Sequence, residues 1–217
     1  VLFCLLSACS KQEPKGASGS EAQTKGFTFL DLGANTKVTD AVRDRLEQRL
    51  GSEAIVRHTI IDLDAEAPGF LAAHFSDLAE LNRKLNWPPR ERVEHAVTQL
   101  TYRYIDPAEL PFEKVVLLFA DPTGLPVLLN AYAGEAGASL LPPLKEKYGP
   151  PQEITWRGRH TQVWTQGQDR LLFTAWRDQY DRPRYTIDIY YTANLKRLLK
   201  IEQKDKTKQG EDAKSIF

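Results

Sequence analysis

From Ala96 to Tyr191 the chain is cut into short runs of strand-forming residues separated by tight turns. This constrains the fold more than any other feature. Over Ala96–Tyr104, Ala96, Leu100, Tyr102 and Tyr104 share one side and Gln99 and Arg103 the other, the period of a half-buried strand. Val115–Phe119 is continuously apolar, as a central strand is, and Val127–Tyr132 returns after Asp121-Pro122-Thr123-Gly124, a type I turn sequence. Gln152–Trp156, Val163–Thr165, Arg170–Trp176 and Arg184–Tyr191 follow, with turns at Gln166–Asp169 and Asp181–Pro183. Strands joined by turns rather than by crossover helices pair antiparallel.

Four helices punctuate this pattern. Thr39 or Asp40 starts one that ends at Leu50, with Val42, Leu46 and Leu50 on one face and Gly51 as its left-handed stop. Phe70–Leu85 carries an apolar stripe, Leu140–Tyr148 takes Pro142 and Pro143 in its first turn, and Ala193–Glu202 turns Leu195, Leu198 and Leu199 inward. Phe27–Leu32 and Ile55–Leu63 read as two further strands, and no internal repeat is visible. The expectation is an α+β fold: mainly antiparallel sheet with a few packed helices, in a single compact domain over residues 26–203.

Of the 217 residues, 41% are hydrophobic and 27% charged, with Lys+Arg 29 against Asp+Glu 29. That balance suits one soluble globular domain and supplies no field that gathers nucleic acid, which is not expected as a partner. Ser10–Lys25, rich in Ser, Gly, Gln and Lys, reads as a flexible tether reaching roughly 20–25 Å. Residues 204–217 are charged and sparse in apolar side chains, and are expected to form a disordered tail.

The segment 1–8 is apolar and ends in Leu6-Ser7-Ala8, followed directly by Cys9. An aliphatic residue, two small residues and a cysteine resemble the lipobox of bacterial lipoproteins. That resemblance implies that residues 1–8 are the remnant of a signal peptide and that Cys9 becomes the first residue of the mature chain. Cys9 would then carry diacylglycerol and an amide-linked acyl chain, anchoring the protein to a membrane of the cell envelope. It also implies sorting to the outer membrane, facing the periplasm, if the source is Gram-negative, because Ser10 rather than Asp follows the cysteine. With no basic segment before the apolar run and no Met in the chain, the true start is expected upstream. The run is shorter than the roughly 20 residues a spanning helix needs. The one other cysteine, Cys4, lies in the segment expected to be removed, so the mature domain would hold no thiol chemistry.

No catalytic constellation emerges. His58, His74, His95 and His160 lie in four different elements with no metal-ligand spacing, so no metal is expected. The phosphate-cradling glycine loops are missing, Ser139 sits in no nucleophile elbow, and no cofactor is expected. Asp62 and Asp64 could pair two carboxylates at a strand end. The candidate functional surface is instead a strand face. Leu171, Phe173 and Ala175 match Tyr185, Ile187, Ile189 and Tyr191 as a core side. The opposite side carries Trp176, Arg184 and Tyr190, with Trp164 joining them, a hot-spot composition. That side is either a docking surface or a second core beneath the N-terminal helices. The expected function is a non-enzymatic envelope binding or structural module whose partner is an envelope protein or polymer. A carrier of a small apolar ligand and an envelope hydrolase are the alternatives.

Overall fold

A computed structural model describes residues 26–214. The first strands, β1 (Thr28–Phe29) and β2 (Leu32–Gly33), form a small hairpin rather than the single strand expected over Phe27–Leu32. Leu30 and Asp31 both take positive φ, as a two-residue hairpin turn requires. Helix α1 (Asp40–Leu50) is capped by Thr39, whose side chain accepts from the Val42 amide, and buries Val42, Leu46 and Leu50. Gly51 follows at φ +79°, where an added Cβ would lie 2.8 Å from the Tyr104 carbonyl oxygen, so both backbone and space require glycine.

Eight antiparallel strands then build one sheet. They are β3 (Glu53–Thr59), β4 (His95–Tyr102), β5 (Lys114–Ala120), β6 (Leu125–Ala133), β7 (Gln152–Trp156), β8 (Arg159–Gln166), β9 (Asp169–Arg177) and β10 (Pro183–Tyr190). The order across the sheet is β3-β4-β5-β6-β10-β9-β8-β7. The fold is α+β in one compact domain.

This order exposes an internal arrangement that the sequence does not display. Each half starts with a helix, α1 or α4 (Leu141–Tyr148), stopped by a glycine at φ +79° or +80°, Gly51 or Gly149. Each then lays down an edge strand and steps inward through three more, so that the last strands, β6 and β10, meet at the centre. An insertion between β3 and β4, holding α2 (Phe70–His74) and α3 (Ser76–Leu85), breaks the equal spacing that would have revealed the repeat.

Both faces of the sheet are packed at its centre, while the edge strand β3 is exposed on both sides. One face lies against the β1–β2 hairpin, α1 and α4, and buries Leu100, Tyr102, Leu117, Leu129, Phe173 and Ile189. The other lies against α2, α3 and α5 (Thr192–Lys214), and buries Leu118, Val127, Leu128, Val163, Leu172 and Tyr190. We call these the hairpin face and the α5 face.

Three further expected elements change. The strand expected over Ile55–Leu63 ends at Thr59, where the register shifts and His58 takes φ +54°. Ile61 and Leu63 are still buried, because amides from α3 replace the ladder: Leu63 N–H donates to Asn82 Oδ1, and Asn86 Nδ2 donates to the Ile61 carbonyl, both at 2.9 Å. The helix expected over Phe70–Leu85 breaks at Phe75, which turns inward against Phe70, and restarts with Asp77 in the first turn. Finally, α5 runs to Lys214, so residues 204–214 are helical rather than a disordered tail. A solvated helix needs charge pairs rather than apolar residues, and Lys206 lies one turn after Glu202 and stabilises its charge.

Glu202 ties this helix to the sheet. Its carboxylate contacts buried His95 Nδ1 at 2.8 Å and accepts from Ala96 N–H at 2.9 Å, while His95 Nε2 lies 3.1 Å from the Leu85 carbonyl. These contacts hold the carboxyl below its usual range against the opposing effect of burial. Glu202→Ala is expected to cost about 1–3 kcal/mol, because it strands a buried ring nitrogen and a backbone donor. Urea unfolding measures it, and a variant as stable as wild type would remove the clamp from the account.

Candidate functional site

The α5 face is covered unevenly. Toward one end of the strands the helices stop, leaving the far ends of β5, β6, β9 and β10 half-exposed around an open groove of about 480 Å³. Trp176 and Arg184, on adjacent strands and directly opposite in register, line it with Arg103, Lys114, Tyr132 and Tyr185.

The four residues expected to form one surface are therefore separated. Trp176 and Arg184 stay together in the groove. Tyr190 is on the same face but buried under the 60–69 loop, its hydroxyl donating to the Leu63 carbonyl at 3.1 Å. Trp164 is on the hairpin face: it pairs with Leu171, is buried in that core, and donates its indole N–H to the Gly149 carbonyl at 2.8 Å. Strand alternation fixes which residues share a side within β8, but pairing register with β9 decides which face that side joins. The α5 face is a second core around Leu172 and Tyr190, whereas Trp176 is half-buried at the groove.

The groove is part of a larger pattern. Lys114 of β5, Tyr132 of β6, Arg184 of β10, Trp176 of β9, Arg159 of β8 and Trp156 of β7 are all half-buried and project on the α5 face. Read in sheet order, cation and aromatic alternate strand by strand. The contacts follow: Lys114 Nζ lies 3.7 Å from the Tyr132 ring centre and the Arg159 guanidinium 4.6 Å from that of Trp176, while Arg157, on the β7–β8 turn, lies 4.8 Å from Trp156. An aromatic face holds a cation in place without neutralising it.

The centre of the row is different. Arg184 donates to both carboxylate oxygens of Glu113 at 3.0 and 2.9 Å and to Asp178 at 3.1 Å, and Arg182 also binds Asp178 at 2.9 Å. Hydrogen bonds from Arg182, Arg184 and nearby amides outweigh desolvation and hold the Asp178 carboxyl well below the usual carboxylate range. By contrast, Arg103, Lys114, Arg157 and Arg159 have no carboxylate within 4.0 Å among the described residues.

A buried polar chamber adjoins the row. Asp188 faces Asn130 across the β6–β10 seam; Asn130 Nδ2 donates to it at 2.7 Å and Thr186 Oγ1 at 3.2 Å. Burial pushes its carboxyl up to about 6 against those two hydrogen bonds. Glu66, from the loop above, accepts from the Tyr132 hydroxyl at 2.8 Å. The cavity, about 30 Å³, is lined by Thr161, Thr174 and Thr186 as well as Asp188. Nothing in the sequence separated Asp188 from other strand carboxylates, and only its burial distinguishes it.

Several of the other polar residues named from the sequence have structural partners. Asp62 accepts from the Asp64 amide and Asn82, and Asp64 accepts from Gly69 and Leu71 amides at the start of α2. Ser139 donates to the Ala136 carbonyl, and His74 packs edge-on against Trp156. Among the described residues no group of three His, Cys, Asp or Glu side chains is placed to hold a metal ion, and no helix is long and apolar enough to cross a membrane. Cys9 lies outside the described residues. Comparison of the chain with protein-family models, with curated proteins and with solved structures finds no match in any of the three.

Proposed function

We propose that this chain is a membrane-anchored envelope lipoprotein whose folded domain is a non-enzymatic binding module. The observation that carries the binding role is the strand-end surface around Trp176 and Arg184, where aromatic rings and cations are presented together beside an open groove while the centre of both sheet faces is packed. Trp, Tyr and Arg are the side chains that dominate interface energetics. The ion pairs support the same role. Asp178 is held ionised by two guanidiniums, which makes it a fixed charge rather than a group poised to exchange protons near neutral pH.

The anchor rests on Leu6-Ser7-Ala8-Cys9. Two or more acyl chains give stable membrane attachment where one alone is marginal. Cys9→Ala is expected to leave the protein unprocessed or to move it to the soluble fraction. Fractionation and mass spectrometry read this directly, and an unmodified Cys9 in the mature chain would end the lipoprotein proposal. The binding role is tested by cross-linking in intact cells. Wild type is expected to form a discrete adduct with an envelope component that Trp176→Ala loses while remaining folded. An adduct that survives both Trp176→Ala and Arg184→Ala would remove this surface from the functional account.

A further inference from the structure

The row on the α5 face has a charge pattern that specifies more than a generic interface. Its unpaired cations gather in two places. Lys114 and Arg103 line the groove at one end; the pairing of Tyr102 with Val115 brings Arg103, just past the end of β4, beside Lys114 of β5. Arg159 and Arg157 sit at the other end, over Trp176 and Trp156. The stretch between has no unmatched cation. Arg184 and Arg182 are matched by Glu113 and Asp178, and Glu66 adds a further carboxylate at Tyr132. The surface therefore presents two positive poles separated by a middle of aromatic rings and carboxylates.

The separation follows from the sheet. Lys114 is on β5 and Arg159 on β8, with β6, β10 and β9 between them, four strand spacings apart. The β8 residue in register with Lys114 is Thr161, two positions from Arg159, so at about 4.8 Å per spacing across the sheet and about 3.3 Å per residue along it the poles are about 20 Å apart. An extended polypeptide rises about 3.1 Å per residue as polyproline II and about 3.3 Å as a strand, so six residues span about 19–20 Å in either form. Six is also a multiple of both periods, three for polyproline II and two for a strand, so side chains six apart point the same way in both.

We propose that this row binds an extended segment of a protein partner in which two acidic residues stand six positions apart with apolar residues, proline among them, between. This deepens the binding-module proposal and rests on it. The acids meet the poles Lys114–Arg103 and Arg159–Arg157. The intervening side chains fill the groove against Tyr132 and Trp176, which need no charge opposite them. A nucleic acid fits this pattern poorly. A duplex strand carries a phosphate about every 3.4 Å, which would set most of its charges against Glu113, Asp178 and Glu66 rather than against a free cation. A uniformly charged acidic glycan meets the same obstacle.

The test uses the full chain and three labelled peptides of one composition, with two glutamates placed three, six or nine positions apart in a Pro/Leu/Ala background. Fluorescence anisotropy is expected to show the six-residue spacing binding at least tenfold more tightly than the other two, with affinity falling as salt rises. Reversing both poles, Lys114→Glu and Arg103→Glu with Arg159→Glu and Arg157→Glu, is expected to lose that binding, and the reversed protein is expected to bind a peptide with lysines six apart. That recovery shows that the reversed variant is folded. Equal affinity for the three spacings, or unchanged binding by the reversed protein, would overturn the proposal. So would tighter binding of oligothymidylate or polygalacturonate than of the six-spaced peptide. A Trp176-dependent adduct in cells together with no spacing preference would sink this inference alone, leaving the binding-module proposal in place.

Discussion

Asp188→Asn is expected to stabilise the protein at pH 7 by up to about 3 kcal/mol and to remove a fall in stability between about pH 4 and pH 6. The Asp188 carboxyl is fully buried at the seam of the two half-sheets, and desolvation pushes it up to about 6. The hydrogen bonds from Asn130 and Thr186 and the field of Arg159 oppose that shift, and Glu66 adds to it. In the unfolded chain an aspartate titrates near 3.9. The folded protein thus keeps a proton that the unfolded chain releases about two pH units earlier. This group's favourable contribution is complete below about pH 4 and is lost as pH rises to about 6, at about 1.4 kcal/mol per unit. Asparagine keeps both hydrogen bonds, since its oxygen still accepts from Asn130 and the Thr186 hydroxyl reverses to accept from its amide. Asp178 and Glu202, whose carboxyls are lowered, act in the opposite sense and lose stability as pH falls, and both remain in the variant. Urea unfolding of wild type and variant from pH 4 to 7.5 separates the two effects. Parallel stability curves would show that Asp188 carries no such shift.

The second large effect distinguishes two tryptophans that the sequence placed together. Trp164→Ala is expected to cost about 3–5 kcal/mol, the range for truncating a large core aromatic. Its ring is 4% exposed in the hairpin-face core, and its loss also removes the hydrogen bond to the Gly149 carbonyl where α4 hands over to β7. Trp176→Ala is expected to cost less than about 1 kcal/mol, since its ring is half-exposed and its main partner is the Arg159 guanidinium. Denaturant midpoints of the two single variants decide it. Equal costs would place Trp176 in the core and withdraw it from the binding surface.

Much of the local structure is legible from residue order. Turn residues mark where strands stop, Thr39 and Gly51 mark both ends of α1, and period two separates Leu171, Phe173, Ile187 and Ile189 from their neighbours as one core side. These features depend on contacts a few residues apart, where sterics and backbone hydrogen bonding act directly. The expected single strand at Phe27–Leu32 and the unbroken helix at Phe70–Leu85 fail for a different reason. Their geometry depends on what they pack against, the hairpin-face core in one case and the inward turn of Phe75 in the other.

The binding surface belongs wholly to this second kind. Lys114, Tyr132, Trp156, Arg159, Trp176 and Arg184 come from six strands, and in chain order their alternation breaks between Tyr132 and Trp156. The alternation becomes continuous because β6 pairs with β10, so that the second half of the chain runs back across the sheet in reverse order. That seam is held by pairs such as Asn130 with Asp188, 58 residues apart. The sequence by itself determined where most of the strands of the large sheet lie and which side chains share a side within each. Only the tertiary structure decided which sides became neighbours, because strand order and register are set by long-range pairing and by which faces the helices cover.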